Sequence, residues 1–225
     1  MMKKSIGFVV VALAAMMTGC ATTHQARSTS TSGFLGNYAG LTEGGEGQAL
    51  LLYINPRVRI ANYDSISIDP IRIYASDDSA FGGASSEELR GILNYLDAAV
   101  REQLAKDYKL VKKPGPKTMR LRIALTEAEG SMRILDTMSN VMPPAIALSA
   151  LKTAITGRAT GVGSARVEME LLDAKSNLRL MAAVDERVGG KTFEGKFDKW
   201  DDVKQAIDFW ATKLQERLAI ERAKR

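Results

Sequence analysis

SSEELRGILNYLDAAVREQLAKDYKLVKKPGPKTMRLRIAL, Ser85 to Leu125, is the stretch on which the fold turns. Ser85 and Glu88 have the spacing of a capping box, in which each side chain satisfies an unpaired backbone N–H of the other's turn. Leu89, Ile92, Leu93, Leu96, Val100 and Leu104 then recur at helical spacing on one side, so a one-sided helix is predicted over Ser85 to Tyr108. Lys109 to Lys113 reads as a short strand, stopped by the turn Pro114-Gly115-Pro116. Beyond it Met119, Leu121, Ile123 and Leu125 alternate with Arg120, Arg122 and Ala124. That period of two predicts a strand with one apolar and one wet face.

The same alternation continues towards the C-terminus. Val167, Met169 and Leu171 alternate with Arg166, Glu168 and Glu170, and Asp173 to Asn177 turns the chain into a returning strand over Leu178 to Val188. This is a hairpin with its tip near Lys175-Ser176. Asp198 is expected to cap a last helix whose stripe is Val203, Ile207, Trp210, Leu214 and Leu218. On the N-terminal side, Ser65 to Tyr74 is a strand whose apolar phase slips at Asp69-Pro70, as at a bulge or an edge. Ala49 to Ile54 is a further short strand. Phe34, Leu35, Tyr38 and Leu41 are placed to pin the start of the domain. One-sided helices need a layer to cover, so the order implies an α+β fold: a mostly antiparallel sheet with two long helices packed on one face.

The first residues are of a different kind. Lys3 and Lys4 precede Ile6 to Met17, an apolar run interrupted only by Gly7, and Thr18-Gly19 lead to Cys20. A basic start, a short apolar core and a small-residue exit make a secretory signal. The apolar run is well short of the ~20 residues a membrane-spanning helix needs. Met17-Thr18-Gly19-Cys20 resembles the lipobox of bacterial lipoproteins, which implies removal of residues 1–19 and acylation of Cys20. Cys20 is the single cysteine of the chain, so no internal disulfide can form. Ala21 rather than an aspartate follows it, and by resemblance to Gram-negative sorting this implies the outer membrane, with the domain facing the periplasm. Residues 20–32, ATTHQARSTSTS after the cysteine, offer nothing to bury and are expected to be a flexible tether reaching up to about 40 Å. Residues 33–225 are expected to form one domain. Loss of Lys3 and Lys4 takes the net charge from +5 to about +3, too mild a balance to imply nucleic acid.

SGFLGNY at Ser32 to Tyr38, with the strand from Tyr63-Asp64 to Tyr74 and its Ile68-Asp69-Pro70 step, resembles a family of bacterial lipoproteins of unknown function, domain of unknown function number 3313. The resemblance covers most of the mature chain and implies no established activity and no catalytic residues. Asn37 stands where an acid is expected.

The residues that carry chemistry are sparse. His24 is the only histidine, so neither a Ser-His-Asp nor a Cys-His arrangement exists, and zinc lacks its usual ligands. No cofactor is expected. Asp64, Asp69, Asp77 and Asp78 cluster in sequence, as do Glu127 and Glu129. A hydrolase would need two carboxylates facing one cleft; scattered acids read instead as solvated faces. The oddity is VMPPAIALSALKTAIT, 141–156, whose only charge is Lys152. Burial against the sheet is one reading. The other is docking, through Ile146, Leu148, Leu151 and Ile155, of an envelope partner, a second copy or the bilayer surface. The expected role is a membrane-anchored, non-catalytic binding or scaffolding module. The alternatives are a small-ligand or lipid-binding module, marked by an apolar pocket under the helices, and a carboxylate hydrolase, marked by converging acids.

Overall fold

A computed structural model describes residues 23–75, 81, 83–131, 162–190 and 198–224. In chain order these form β1 (Thr23–Gln25), β2 (Thr42–Glu43), β3 (Leu51–Ile54), β4 (Ser65–Ile68), β5 (Arg72–Ile73), α1 (Ser86–Leu104), β6 (Lys109–Leu110), β7 (Thr118–Glu129), β8 (Ser164–Asp173), β9 (Arg179–Gly189) and α2 (Asp201–Ala223). Among the described residues the strands make one nine-stranded sheet ordered β2-β3-β9-β8-β7-β4-β6, with β1 also on β9 and β5 also on β7.

The long central strands follow their alternation. Met119, Leu121, Ile123 and Leu125 join Ala165, Val167 and Leu171 in the main core, together with Ile92, Leu96, Val100 and Leu104 of α1 and Val203, Ile207, Trp210 and Leu218 of α2. Both helices therefore lie on the same face. Ser85 and Glu88 exchange both bonds of the capping box. Glu88 also pairs with Lys199 at 2.5 Å and accepts from Trp200 Nε1, joining the start of α1 to the chain entering α2. The hydrogen bond to Lys199, above all, pulls its carboxyl down to about 2.

The sheet is mixed rather than simply antiparallel. β7–β8, β8–β9, β3–β9, β2–β3 and β1–β9 are antiparallel, whereas β4–β7, β4–β6 and β5–β7 are parallel. The cause is α1: a helix as long as the sheet between two strands returns the chain to the end it started from, and a crossover of that kind gives parallel neighbours. The slip at Asp69-Pro70 is real. Ile68 faces Leu121 and Arg72 faces Ala124, so one extra residue sits opposite β7 between β4 and β5.

Two boundaries differ from expectation. α2 starts at Asp201, and Asp198 instead accepts from the Trp200 backbone N–H and orders the turn before the helix. Within the segment expected to be a flexible tether, Thr23 to Ala26 are instead part of the sheet. Thr23, His24 and Gln25 pair with Gly189, Val188 and Arg187, and the Ala26 N–H continues to the Glu186 carbonyl. The outer edge of β9 left free by β3 supplies the backbone partners that composition cannot reveal.

Candidate functional site

The sheet face opposite the helices carries the even-numbered charged residues of β7 and β8, and the segment that follows β1 crosses over it as a strap. Phe34 and Leu35 bury themselves against Ala124, Ala182 and Val184. The SGFLGNY turn is built around one hydroxyl. Tyr38 Oη accepts from the Gly33 N–H at 2.7 Å and the Leu35 N–H at 3.4 Å, and donates to Glu168 Oε2 at 2.6 Å. Gly33 and Gly36 hold φ of 98° and 67°, the left-handed region open to glycine. Glu168, fully buried, accepts on its other oxygen from the Ser32 N–H. Burial first, and the bond to Glu168 second, push the Tyr38 hydroxyl above its ordinary pKa.

At the hairpin end of this face the strap leaves a cleft of about 630 Å³. Four arginines line it: Arg72, Arg120, Arg122 and Arg179. Arg120 makes a bidentate pair with Asp69, through Nε at 2.9 Å and Nη2 at 2.7 Å, and that pairing raises its pKa further. Glu170, 3% exposed, is shared: one oxygen receives Arg122, the other receives Arg179 Nε at 3.0 Å and Nη2 at 2.8 Å. Arg179 also donates to the carbonyls of Leu35 and Asn37, so it fastens the strap and faces the cleft at once. The Arg122 guanidinium lies 4.9 Å from the centre of the Phe34 ring. The Arg72 side chain is exposed and makes no hydrogen bond or ion pair with the described residues. Four guanidiniums against two carboxylates leave the cleft with two positive charges in excess. Forked N–H donors around a concave surface suit a carboxylate or phosphate oxygen.

The sequence-predicted residues fall elsewhere. Cys20, and Ile146, Leu148, Leu151 and Ile155 of 141–156, lie outside the described residues, as do Asp77 and Asp78. The remaining acids are not brought together. Asp69 lines the cleft; Asp64 accepts from its neighbour Ser65; Glu127 is buried towards the far end of β7 beside Arg166 and Ser164. The two carboxylates of the cleft, Asp69 and Glu170, are both held by arginines. No group of three potential metal-ligating side chains occurs among the described residues. The arginines were missed because Arg120 and Arg122 read as an ordinary wet strand face. The available signal was their register: Arg122 opposite Glu170 in a strand whose partner is equally charged.

On the helix side a second, more apolar pocket of about 300 Å³ lies between α2 and the sheet. Met169, Met181, Phe209, Trp210 and Leu214 contribute its walls and Ile220 its rim. It lies under one helix, not two. Asp185 at its floor, 3% exposed, accepts from Gln25 Nε2, the Leu50 N–H and Trp210 Nε1, each at 2.7–3.0 Å. Burial pushes its carboxyl up despite these donors.

The family model described as "Protein of unknown function (DUF3313)" matches residues 30–214. An uncharacterized lipoprotein of Escherichia coli K12, YdcL, is 30% identical over 184 residues, 80% of this chain and 82% of its own. Among solved structures, the PelC dodecamer from Paraburkholderia phytofirmans is similar with a TM-score of 0.39 at 12% identity, over 73% of this chain and 94% of its own. A lipoprotein from Neisseria meningitidis is similar with a TM-score of 0.35 at 13% identity, over 70% and 99%.

Proposed function

The chain belongs to the DUF3313 family, and from that premise we propose that it is an envelope lipoprotein, acylated at Cys20 in the outer membrane, whose periplasmic domain catalyses nothing and binds an anionic group of another envelope component in the arginine cleft. The observation that carries this reading is the excess of two guanidiniums in a concave site where Arg72 has no partner among the described residues. A lipoprotein relative and the signal ending at Cys20 support the anchored address. Asp69 and Glu170 hold the arginines in place and neither is offered as a free acid, which favours binding over hydrolysis.

The test is in-cell photo-crosslinking from Leu178, half exposed at the cleft rim, comparing the native chain with Arg72→Glu. The Arg72 side chain is exposed and has no partner among the described residues, so the reversal leaves the fold intact. Loss of a discrete crosslinked partner in the variant, at unchanged melting temperature, is expected. Equal capture by both chains refutes the cleft as the docking site.

A second reading has the apolar pocket under α2 in its favour. Its volume lies at the lower limit of ligand sites, roughly 300–1,000 Å³. Saturable quenching of Trp210 fluorescence by a brominated medium-chain fatty acid would support it, and an unchanged spectrum would dismiss it.

A further inference from the structure

The position of β1 does more than shorten the tether. If Cys20 carries the lipid, only Ala21 and Thr22 separate it from Thr23, which is already paired with Gly189 at the end of β9. Three residue steps span at most about 11 Å. A leash that short cannot let the domain drift or turn over freely. It holds one end of the sheet against the headgroups.

That end is defined by register. Thr23 faces Gly189, Val188 faces Ser164, and Ser164 faces Glu129. The start of α2 sits there too, since Ser131 N–H donates to the Lys199 carbonyl and Gly163 N–H to Asp202. The chain leaves and re-enters this same end at 131 and 162, and again at 190 and 198. The first of these intervals contains 141–156 with its single charge, and the second reads KTFEGKF, with Phe193 and Phe197. Asp77 and Asp78 follow Ala75 in the sequence, so the short leash to Cys20, not charge attraction, sets the orientation. The arginine cleft belongs to the opposite end. Arg179 opens β9 and Gly189 closes it, eleven residues in all, which places the two ends about 33 Å apart at the usual rise of a strand.

We infer that the end of the sheet formed by Thr23, Gly189, Ser164 and Glu129 is the membrane-apposed surface of the protein, its partner being the lipid bilayer, and that the arginine cleft is held away from the membrane at the far end. The inference rests on acylation of Cys20. It gives the two ends different partners: lipid at one, an anionic component standing off the membrane at the other.

Acylation occupies the only native thiol, so one introduced cysteine is a unique label site. Full-length Ser131→Cys and Lys175→Cys chains, matured in cells and purified, are labelled with bimane and reconstituted into phosphatidylethanolamine–phosphatidylglycerol vesicles containing a headgroup-nitroxide lipid. Several-fold stronger quenching at position 131 than at position 175 is expected. Equal or reversed quenching in a chain whose N-terminal fragment has the mass of an acylated cysteine overturns the orientation and leaves the anchor standing. An unmodified N-terminal fragment overturns the anchor and the orientation with it.

Discussion

Gly189 shows how much a single missing Cβ can decide. An alanine there would place Cβ 2.2 Å from the Asp202 carboxylate, a side chain buried at the start of α2 and held by the Gly163 N–H. Neither strand nor helix can yield without breaking the other's packing, so Gly189→Ala is expected to destabilise the domain by about 1–3 kcal/mol, the range for overpacking a filled interior. Urea midpoints check this, and adding Asp202→Ala should recover part of the loss by removing the obstacle. Tyr63 supplies a pH signature. Burial first, and then its bond to Asp173 at 3.0 Å, push its hydroxyl from 10.0 to about 12. A group that holds its proton more tightly when folded contributes stability that is whole below pH 10 and is lost as pH rises from 10 to about 12. Tyr63→Phe should therefore flatten that part of the stability profile while lowering the plateau below it, as equilibrium unfolding at pH 8 to 12 would show.

Among the elements, the strap is the one whose role differs most from its sequence appearance. Its two apolar anchors, Phe34 and Leu35, were legible as residues to bury; its purpose was not. It roofs a face that reads as solvated, and the Tyr38 hydroxyl links the turn of Ser32 to Tyr38 to the buried Glu168. The family motif is thus a structural clasp that also shapes one wall of the arginine cleft through the Leu35 and Asn37 carbonyls. Tyr38→Phe leaves two backbone donors and a buried carboxylate without this partner and is expected to lower stability by about 1–3 kcal/mol. Because the loss is local, trypsin should cleave after Arg27, which is exposed in the strap, faster than global unfolding allows. Unchanged cleavage would mean the strap is held by Phe34 and Leu35 alone. The parallel pairing of β4 with β6 was, by contrast, available in the order strand–helix–strand, because a crossover through α1 dictates it; that β7 also runs parallel to β4 follows from β4 lying between β6 and β7, which the short turn at Pro114 to Pro116 did not suggest.

At the scale of the whole molecule, Asp185 joins parts that are remote in sequence. It receives Gln25 of β1, Leu50 at the edge of β3 and Trp210 of α2, so one carboxylate ties the sheet edge to the helix layer. Asp185→Ala orphans three donors at about 1 kcal/mol or more each, and a fall of about 3 kcal/mol with a red shift of Trp210 emission is expected. An unshifted Trp210 spectrum would show that α2 is seated without it. Sequence alone determined what local rules can reach: both long helices, the central hairpin and its tip, the bulge at Asp69-Pro70, and the family. Those features depend on periodicity, capping and turn chemistry within about twenty residues of chain. Tertiary structure alone decided that Thr23 to Ala26 complete the sheet, that the strap covers the charged face, and that Arg72, Arg120, Arg122 and Arg179 meet in one cleft at the hairpin end of the sheet. Each of these depends on backbone edges and side-chain charges supplied by segments about fifty to more than a hundred and fifty residues apart, whose pairing no local pattern encodes.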